Sequence, residues 1–175
     1  QTCGQIFRYA IATGRADHDP AADLKGALKP VIHKSYSALD SKDLLAFLGA
    51  LERNEARLYP QTRRAVMLLM LTFVRTSELI NAKWAEFDFD NDMWIIPAER
   101  MKMGKDHMVP LSKQVRKLFE EQKALTGEWP WVFPSAISQR KAMSNNTILG
   151  AIRRLGYKDK TTGHGFRALA MTTIK

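Results

Sequence analysis

The longest apolar run of the chain is Ala65-Val66-Met67-Leu68-Leu69-Met70-Leu71-Thr72-Phe73-Val74, and only Thr72 interrupts it. This run is too short to cross a bilayer, which takes about 20 apolar residues, so it predicts a buried helix. Pro60 suits the first turn of that helix. Since its apolar side chains lie nearly all round, the helix is expected at the centre of a globular domain.

A polar run, Arg75-Thr76-Ser77-Glu78, follows the apolar helix directly. Thr76 or Ser77 is expected to cap a short helix that starts near Glu78, because short hydroxyl side chains accept from exposed N–H groups. Arg75 would then lie at the junction of two helices. An arginine at the end of such an apolar stretch is costly to bury without a partner.

Four further segments have the caps and spacing of helices. Asp40 is a good N-cap for a helix from Ser41 to about Arg53, with Leu39 and Leu44 as a hydrophobic staple. Three more helices are predicted, from Ser112 to Gly127, from Ser144 to Gly156 and from His164 onward. The helix from Ser41 is expected to bury several leucines, among them Leu45, and the helix from Ser112 carries Leu125 among its apolar residues.

Extended segments lie between the helices. Glu86–Asp90 and Met93–Pro97 flank an Asn91-Asp92 turn and predict a β-hairpin. A second turn at Gly104 precedes another extended segment, His107–Pro110. The sequence therefore predicts a mainly α-helical α+β fold with one small three-stranded antiparallel sheet.

The N-terminal part is predicted to be separate from this domain. Gln5–Thr13 has apolar residues at helical spacing, and Gly26–Lys34, with its glycine and proline, is typical of a linker. We therefore predict a partial domain at residues 1–30 and the main domain at residues 31–175.

Composition favours a polyanionic partner. The chain has 175 residues, 27 Lys and Arg against 18 Asp and Glu, and a net charge of +9. An excess of positive charge of this size favours nucleic acid as the partner. The alternative is a basic surface that binds no particular partner. The single cysteine, Cys3, excludes an internal disulfide and a zinc cluster, which fits a reducing cytoplasm. No signal-peptide pattern opens the chain, which lacks an initiator Met and is expected to be cut at both ends.

Two arginines suit the chemistry of a bound phosphate. A phosphodiester in transfer gathers negative charge on its non-bridging oxygens, and a planar guanidinium can hold two such oxygens. Arg75 and Arg167 are the candidates for a clamp on both oxygens. His164, three residues before Arg167, would lie on the same helix face and could move a proton at the phosphate.

Other charged residues have two open interpretations. Glu78 is either an ordinary acidic residue of a first helical turn or a carboxylate that orients the cations. Lys102 and Lys105 flank the Gly104 turn, where a lysine is either solvated or placed to protonate a leaving oxygen. We also expect Arg100, Lys105 and Arg153 to contact DNA. No metal-ligand spacing relates His18, His33 and His107.

In this order the motifs Arg75-Thr76-Ser77-Glu78-Leu79, Met101-Lys102-Met103-Gly104-Lys105 and His164-Gly165-Phe166-Arg167 resemble the catalytic domain of tyrosine recombinases. Within that family, the residues of these motifs most resemble those of integrases of phages and genomic islands. The resemblance covers about Lys34 to Lys175, and the first segment is similar to the end of the DNA-clamping domain that precedes the catalytic one. Phe73 differs from the glycine that many members have at this position.

The resemblance implies a site-specific DNA recombinase that works without metal or other cofactor, through a 3′-phosphotyrosyl intermediate. It places the phosphate clamp at Arg75 and Arg167, the general acid at Lys102, the proton-transfer histidine at His164 and the supporting carboxylate at Glu78. It also implies attachment-site duplex DNA as substrate, a homotetramer on DNA and an accessory excision factor. The expected location is the cytoplasm of a bacterium, with no membrane partner.

Two elements of the family pattern are expected to be missing, a second His or Trp and the nucleophilic tyrosine, both of which lie beyond the His-x-x-Arg motif in the family. The nucleophilic tyrosine follows the His-x-x-Arg motif in the family, and none of Tyr9, Tyr36, Tyr59 and Tyr157 lies there. We therefore expect this fragment not to cleave DNA by itself. Two alternatives stay open: a DNA-binding regulator on the same fold, and a resolvase or transposon recombinase.

Overall fold

The computed structural model describes residues 2–24, 26–27, 39–101, 103–158 and 160–173, without the side chains of residues 41 and 171–173. The chain divides into two compact units, Gln1–Ser35 and Tyr36–Lys175. The predicted boundary between residues 30 and 31 lies outside the described residues. In the first unit, helix α1 spans Thr2–Ala12 and ends before Gly14, whose φ of 66° suits glycine.

The second unit is built mainly of helices. They are α2 (Ser41–Glu52), α3 (Pro60–Thr72), α4 (Thr76–Ile80), α5 (Lys113–Thr126), α6 (Asn145–Arg154) and α7 (Gly163–Thr173). Asp40, Ser112 and Ser144 accept backbone N–H bonds from the first turns of α2, α5 and α6, so the predicted caps are confirmed. The ends of α2, α3, α5 and α6 lie within a residue or two of their predicted positions.

Helix α3 forms the centre of the second unit, as predicted. It packs against α4, α5, α6 and α7, and it buries six residues, including Ala65, Leu68 and Leu69. It ends at Phe73, which has a left-handed backbone with φ 53° and donates its N–H to the Leu69 carbonyl. This reversal turns the chain so that α4 starts close to the end of α3.

A three-stranded antiparallel sheet lies beside the helices, as predicted. Strands β1 (Phe87–Asp88), β2 (Met93–Ile96) and β3 (His107–Pro110) follow each other in sequence order. Trp94 of β2 is fully buried and stacks on Phe87, with ring centroids 5.2 Å apart. One face of the sheet therefore packs into the core. The connection between β2 and β3 lies at one end of the sheet.

The predicted cap of α4 is wrong. Arg75, and not Thr76 or Ser77, precedes the helix, and its backbone N–H donates to Glu78 Oε2 at 2.7 Å. The glutamate thus supplies the reciprocal half of a capping box, and its carboxylate satisfies a backbone donor that would otherwise be unpaired. Glu78 is 4% exposed, so this short helix is anchored by a buried charge.

Leu45, which was predicted to be buried, is exposed instead, and so is the apolar residue Leu125 of α5. Leu45 of α2 is 75% exposed and Leu125 of α5 is 51% exposed, because each lies off the face that its helix turns to the core. Helix periodicity predicts the centre of the buried face, but the edges of that face are uncertain by about one residue on each side. Phe47 and Phe119 are fully buried on the same two helices.

The start of α7 packs against the start of α4. A Cβ on Gly163 would come within 2.3 Å of Thr76 Oγ1 and 3.1 Å of Leu69 Cδ2. The hydroxyl and carbonyl of Thr162 both accept the Gly165 N–H, at 3.2 and 2.9 Å, which caps α7. Glycine at position 163 therefore permits a close approach between the two helix starts.

We predict that Gly163→Ala lowers the free energy of unfolding by about 1 to 3 kcal/mol, because the added methyl overpacks the contact with Thr76. Gly150→Ala is the matched control, since nothing lies within 4 Å of a Cβ there. It should be neutral or stabilise α6 by up to about 1 kcal/mol. Urea unfolding monitored by circular dichroism measures both values. The double variant Gly163→Ala, Thr76→Ala should recover part of the loss; a strictly additive double variant would contradict the contact.

A second prediction concerns the reversal at Phe73. Phe73→Gly and Phe73→Val both remove the ring, which is 37% exposed. Only valine keeps a Cβ in the left-handed region, where a side chain costs about 1 to 2 kcal/mol. Phe73→Gly should therefore be more stable than Phe73→Val by about that amount in urea unfolding. Equal stabilities would show that the strain is absorbed elsewhere.

Candidate phosphate-binding site

The Arg75 guanidinium is held by a buried carboxylate. Its Nη1 donates to Glu78 Oε1, while the backbone N–H of the same arginine donates to Glu78 Oε2. The Arg75 side chain is 37% exposed and that of Glu78 is 4% exposed. Both glutamate oxygens are therefore engaged by one residue, whose side chain is still partly exposed. Of the two interpretations of Glu78, this geometry agrees with both: it is an acidic first-turn residue that also orients a cation.

Arg167 lies against the same turn of chain. Its Nη1 donates to the carbonyl of Phe73 at 3.2 Å, across 94 residues of sequence. Phe73 precedes Arg75 by two residues, so Arg167 contacts the backbone of the turn that leads to Arg75, and a shared phosphate clamp stays a prediction. A guanidinium has five N–H groups, and Arg167 is exposed in the described structure.

His164 lies on the first turn of α7, one helical turn before Arg167, and its residue is exposed. Gly165 and Phe166 beside it are buried, which anchors the turn that carries it. The predicted pair of His164 and Arg167 thus shares one end of α7. Phe166 is 1% exposed and contacts the ring of Phe47, so α7 is fixed to the core at this point.

The predicted lysines belong to the connection between β2 and β3. Lys102 lies outside the described residues. Lys105 is exposed just after Gly104, whose φ of 61° makes the turn. Arg153 is exposed on the last turn of α6. Lys105 and Arg153 are thus accessible to a ligand, and their contact with DNA stays a prediction.

Arg100 is placed differently from the other predicted DNA contacts. Its side chain is 19% exposed and forms an ion pair with Glu86, whose side chain is 7% exposed. Its Nη2 donates to the backbone carbonyl of Glu78. Glu86 in turn accepts from Trp94 Nε1 at 3.0 Å. Sequence reasoning missed Glu86, because a glutamate 14 residues from its partner gives no periodic signal.

Arg75 and Arg167 supply positive charge and hydrogen-bond donors beside the turn between α3 and α4. Such groups bind phosphate oxygens well, since charge-assisted bonds from guanidinium are short and strong. Within the described residues no cluster of His, Cys, Asp and Glu is arranged to hold a metal ion. No helix in that part of the chain is long and apolar enough to cross a membrane.

Known proteins are similar to this chain in sequence. The family model described as "Phage integrase family" matches residues 37–174, and that of the "Phage integrase central domain" matches residues 1–27. The integrase of Enterobacteria phage P4 is 42% identical over 179 residues, which covers 94% of this chain and 40% of the relative. The integrase of Shigella phage Sf6 is 36% identical and matches 94% of this chain and 43% of its own length. The chain thus spans less than half of the length of these curated relatives.

Solved structures show the same fold at lower identity. The Tn1549 transposon integrase in complex with a circular intermediate DNA superposes with a TM-score of 0.76 at 18% identity, over 98% of this chain and 63% of that one. A lambda integrase dimer bound to a core site gives 0.69 at 22% identity, over 97% and 48%. The chain therefore has the fold of these integrase structures, and because the family model covers most of its length, this chain belongs to the phage integrase family.

Proposed function

We propose that this chain forms the phosphate-binding part of a site-specific DNA recombinase, an integrase that inserts or excises a prophage or genomic island. The observation that carries the proposal is the contact between α7 and the turn before α4. Arg167 donates to the Phe73 carbonyl, two residues from Arg75, whose guanidinium rests on the buried Glu78. Family membership supports it, and the phage P4 and Sf6 relatives are integrases.

In the proposed reaction the two guanidiniums bind the non-bridging oxygens of one phosphate of duplex DNA. A tyrosine oxygen attacks the phosphorus, the bond to the 5′ oxygen breaks, and a 3′-phosphotyrosyl link forms. Arg75 and Arg167 stabilise the charge that grows on the oxygens during this step. Because they are already placed by Glu78 and the Phe73 carbonyl, little reorganisation is needed at the transition state.

Proton transfer completes the exchange. Lys102 is proposed to donate a proton to the leaving 5′ oxygen, and His164 to accept one from the attacking hydroxyl. A lysine near other cations suits the first task, since neighbouring positive charge lowers its pKa. The reverse step uses the 5′ hydroxyl of a partner strand, so the bond energy is kept in the covalent link and no cofactor is required.

The proposed substrate is attachment-site duplex DNA, bound as a homotetramer, with an accessory factor for excision. Net charge supports a polyanionic ligand, and Lys105 and Arg153 are accessible for phosphate contacts. Arg100 was predicted to make a third contact of this kind. One solved neighbour, the lambda integrase, is a dimer bound to a core site, which supports assembly on the substrate.

Binding of duplex DNA by this chain should be mainly electrostatic. Its affinity should fall steeply between about 50 and 200 mM salt, since each neutralised phosphate releases counterions. Lys105→Ala or Arg153→Ala should reduce the slope of log affinity against log salt by about one. Fluorescence anisotropy over a salt series measures this slope. The control is Lys117→Ala, which removes the same charge from α5, outside the predicted site, and should leave the slope nearly unchanged. If the unsubstituted chain binds no duplex DNA at low salt, the proposal is refuted.

Cleavage is tested in the full-length protein, since the chain spans 40% of the phage P4 relative. With EDTA present, it should form a covalent adduct with attachment-site DNA, visible by denaturing gel. Arg75→Ala or Arg167→Ala should reduce adduct formation by about 100-fold or more, as loss of one charge stabiliser does in other enzymes. A strict requirement for added magnesium would discard the mechanism.

A change of the leaving group tests the role of the general acid independently of the role of the two arginines. Lys102→Ala should be rescued by a substrate whose 5′ oxygen is replaced by sulfur, because a thiolate leaves without a proton. Arg75→Ala should not be rescued, since its charge acts on the other oxygens. If Lys102→Ala stays inactive on the sulfur substrate, the acid role moves to Lys105.

A further inference from the structure

Arg100 connects the sheet to the helix that carries the Arg75 site. One amino group of its guanidinium pairs with Glu86, and the other donates to the Glu78 carbonyl. Glu86 is itself fixed by Trp94 Nε1 at 3.0 Å, and Trp94 is fully buried in β2. A continuous set of hydrogen bonds therefore runs from the core of the sheet to the backbone of α4.

The Glu78 carbonyl needs such a partner. Helix α4 is five residues long, and its last carbonyls cannot all be satisfied within the helix. The Ala82 N–H, which would reach Glu78 in a longer helix, donates instead to the Leu79 carbonyl at 3.1 Å. Arg100 Nη2 is the group that donates to the Glu78 carbonyl. It thereby holds the backbone of the residue whose side chain orients Arg75.

Burial distinguishes Arg100 from a residue that binds DNA directly. Its side chain is 19% exposed against 37% for Arg75, and its partner Glu86 is 7% exposed. Exchanging the Glu86 contact for a phosphate would leave the nearly buried Glu86 carboxylate with Trp94 Nε1 but without its cation, which is costly. The planar fork of arginine also bonds two acceptors at once, which a lysine ammonium does with much less directional control.

We infer that Arg100 is a positioning residue, which acts on phosphate binding through Glu78 and Arg75, and that Glu86 is its anchor. This role rests on the proposed function of Arg75 as a phosphate ligand. Arg100 also stands two residues before Lys102 in the sequence, so the same link ties the start of the lysine-bearing turn to α4. The proposal replaces the predicted DNA contact of Arg100 with an indirect one.

The test is a double-mutant cycle on duplex DNA binding by this chain. The pair substitution Glu86→Gln, Arg100→Met removes one charge of each sign, so the net charge stays the same and no buried carboxylate is left unpaired. It should weaken binding several-fold when Arg75 is present. In an Arg75→Ala background it should have no further effect, because residues that act through one group are not additive.

Nuclear magnetic resonance supplies a readout that a purely structural ion pair would not change. The Nε–H resonance of Arg75, assigned by its loss in Arg75→Lys, should shift in the pair variant. The matched control is Arg64→Met, Glu121→Gln, which removes an ion pair between α3 and α5 with an Nε to Oε2 distance of 3.3 Å. That control should leave the Arg75 resonance in place.

Two outcomes overturn the positioning role of Arg100. Equal fold-losses in both backgrounds would show that Arg100 binds its own phosphate. An unmoved Arg75 resonance in a folded pair variant would show that the pair only stabilises the domain. If the unsubstituted chain binds no duplex DNA at low salt, the proposed function fails, while the Arg75 resonance still decides the positioning role.

Discussion

The buried carboxylate of Glu78 is the interaction on which the site depends. An ionised carboxylate that is 4% exposed must be compensated, and here both oxygens accept from Arg75, one from its backbone and one from its side chain. The same two bonds start helix α4 and orient the guanidinium. Because helix capping and cation placement share one group, the geometry of Arg75 cannot relax without opening the helix start.

Helix α3 makes this arrangement possible by fixing where α4 begins. It is packed on several sides, and its left-handed end at Phe73 reverses the chain within a few residues. The exposed Phe73 carbonyl then becomes an acceptor for Arg167. On the other side, the close approach of Gly163 to Thr76 brings α7 to the same turn. Backbone geometry thus brings α7, which carries Arg167, against the turn that leads to Arg75.

Much of this could be predicted from the sequence, because the signals are local. Asp40, Ser112 and Ser144 are caps, and the apolar run after Pro60 has only one reasonable place in a domain of this size. The cap of α4 was predicted wrongly because the choice between Thr76 and Arg75 depends on where Glu78 is buried, which is a tertiary property. Glu86 was missed for a related reason: its partners, Arg100 and Trp94, are determined by the register of a hairpin. For the site, motif order named Arg75 and Arg167 as a pair, and their joint binding of a phosphate stays a prediction. The Phe73 and Glu78 carbonyls that accept from Arg167 and Arg100 are backbone groups, which no residue pattern records.

The use of a backbone carbonyl as acceptor has a chemical consequence. A carboxylate beside each arginine would cancel its charge and compete with an incoming phosphate. Arg167 rests instead on the neutral Phe73 carbonyl, whereas Arg75 is paired with a carboxylate that is buried and has both oxygens engaged. The pair of arginines therefore keeps a net positive charge while its orientation is fixed. A site of this kind suits a ligand whose own charge increases during reaction, because oriented donors in place beforehand stabilise that change most.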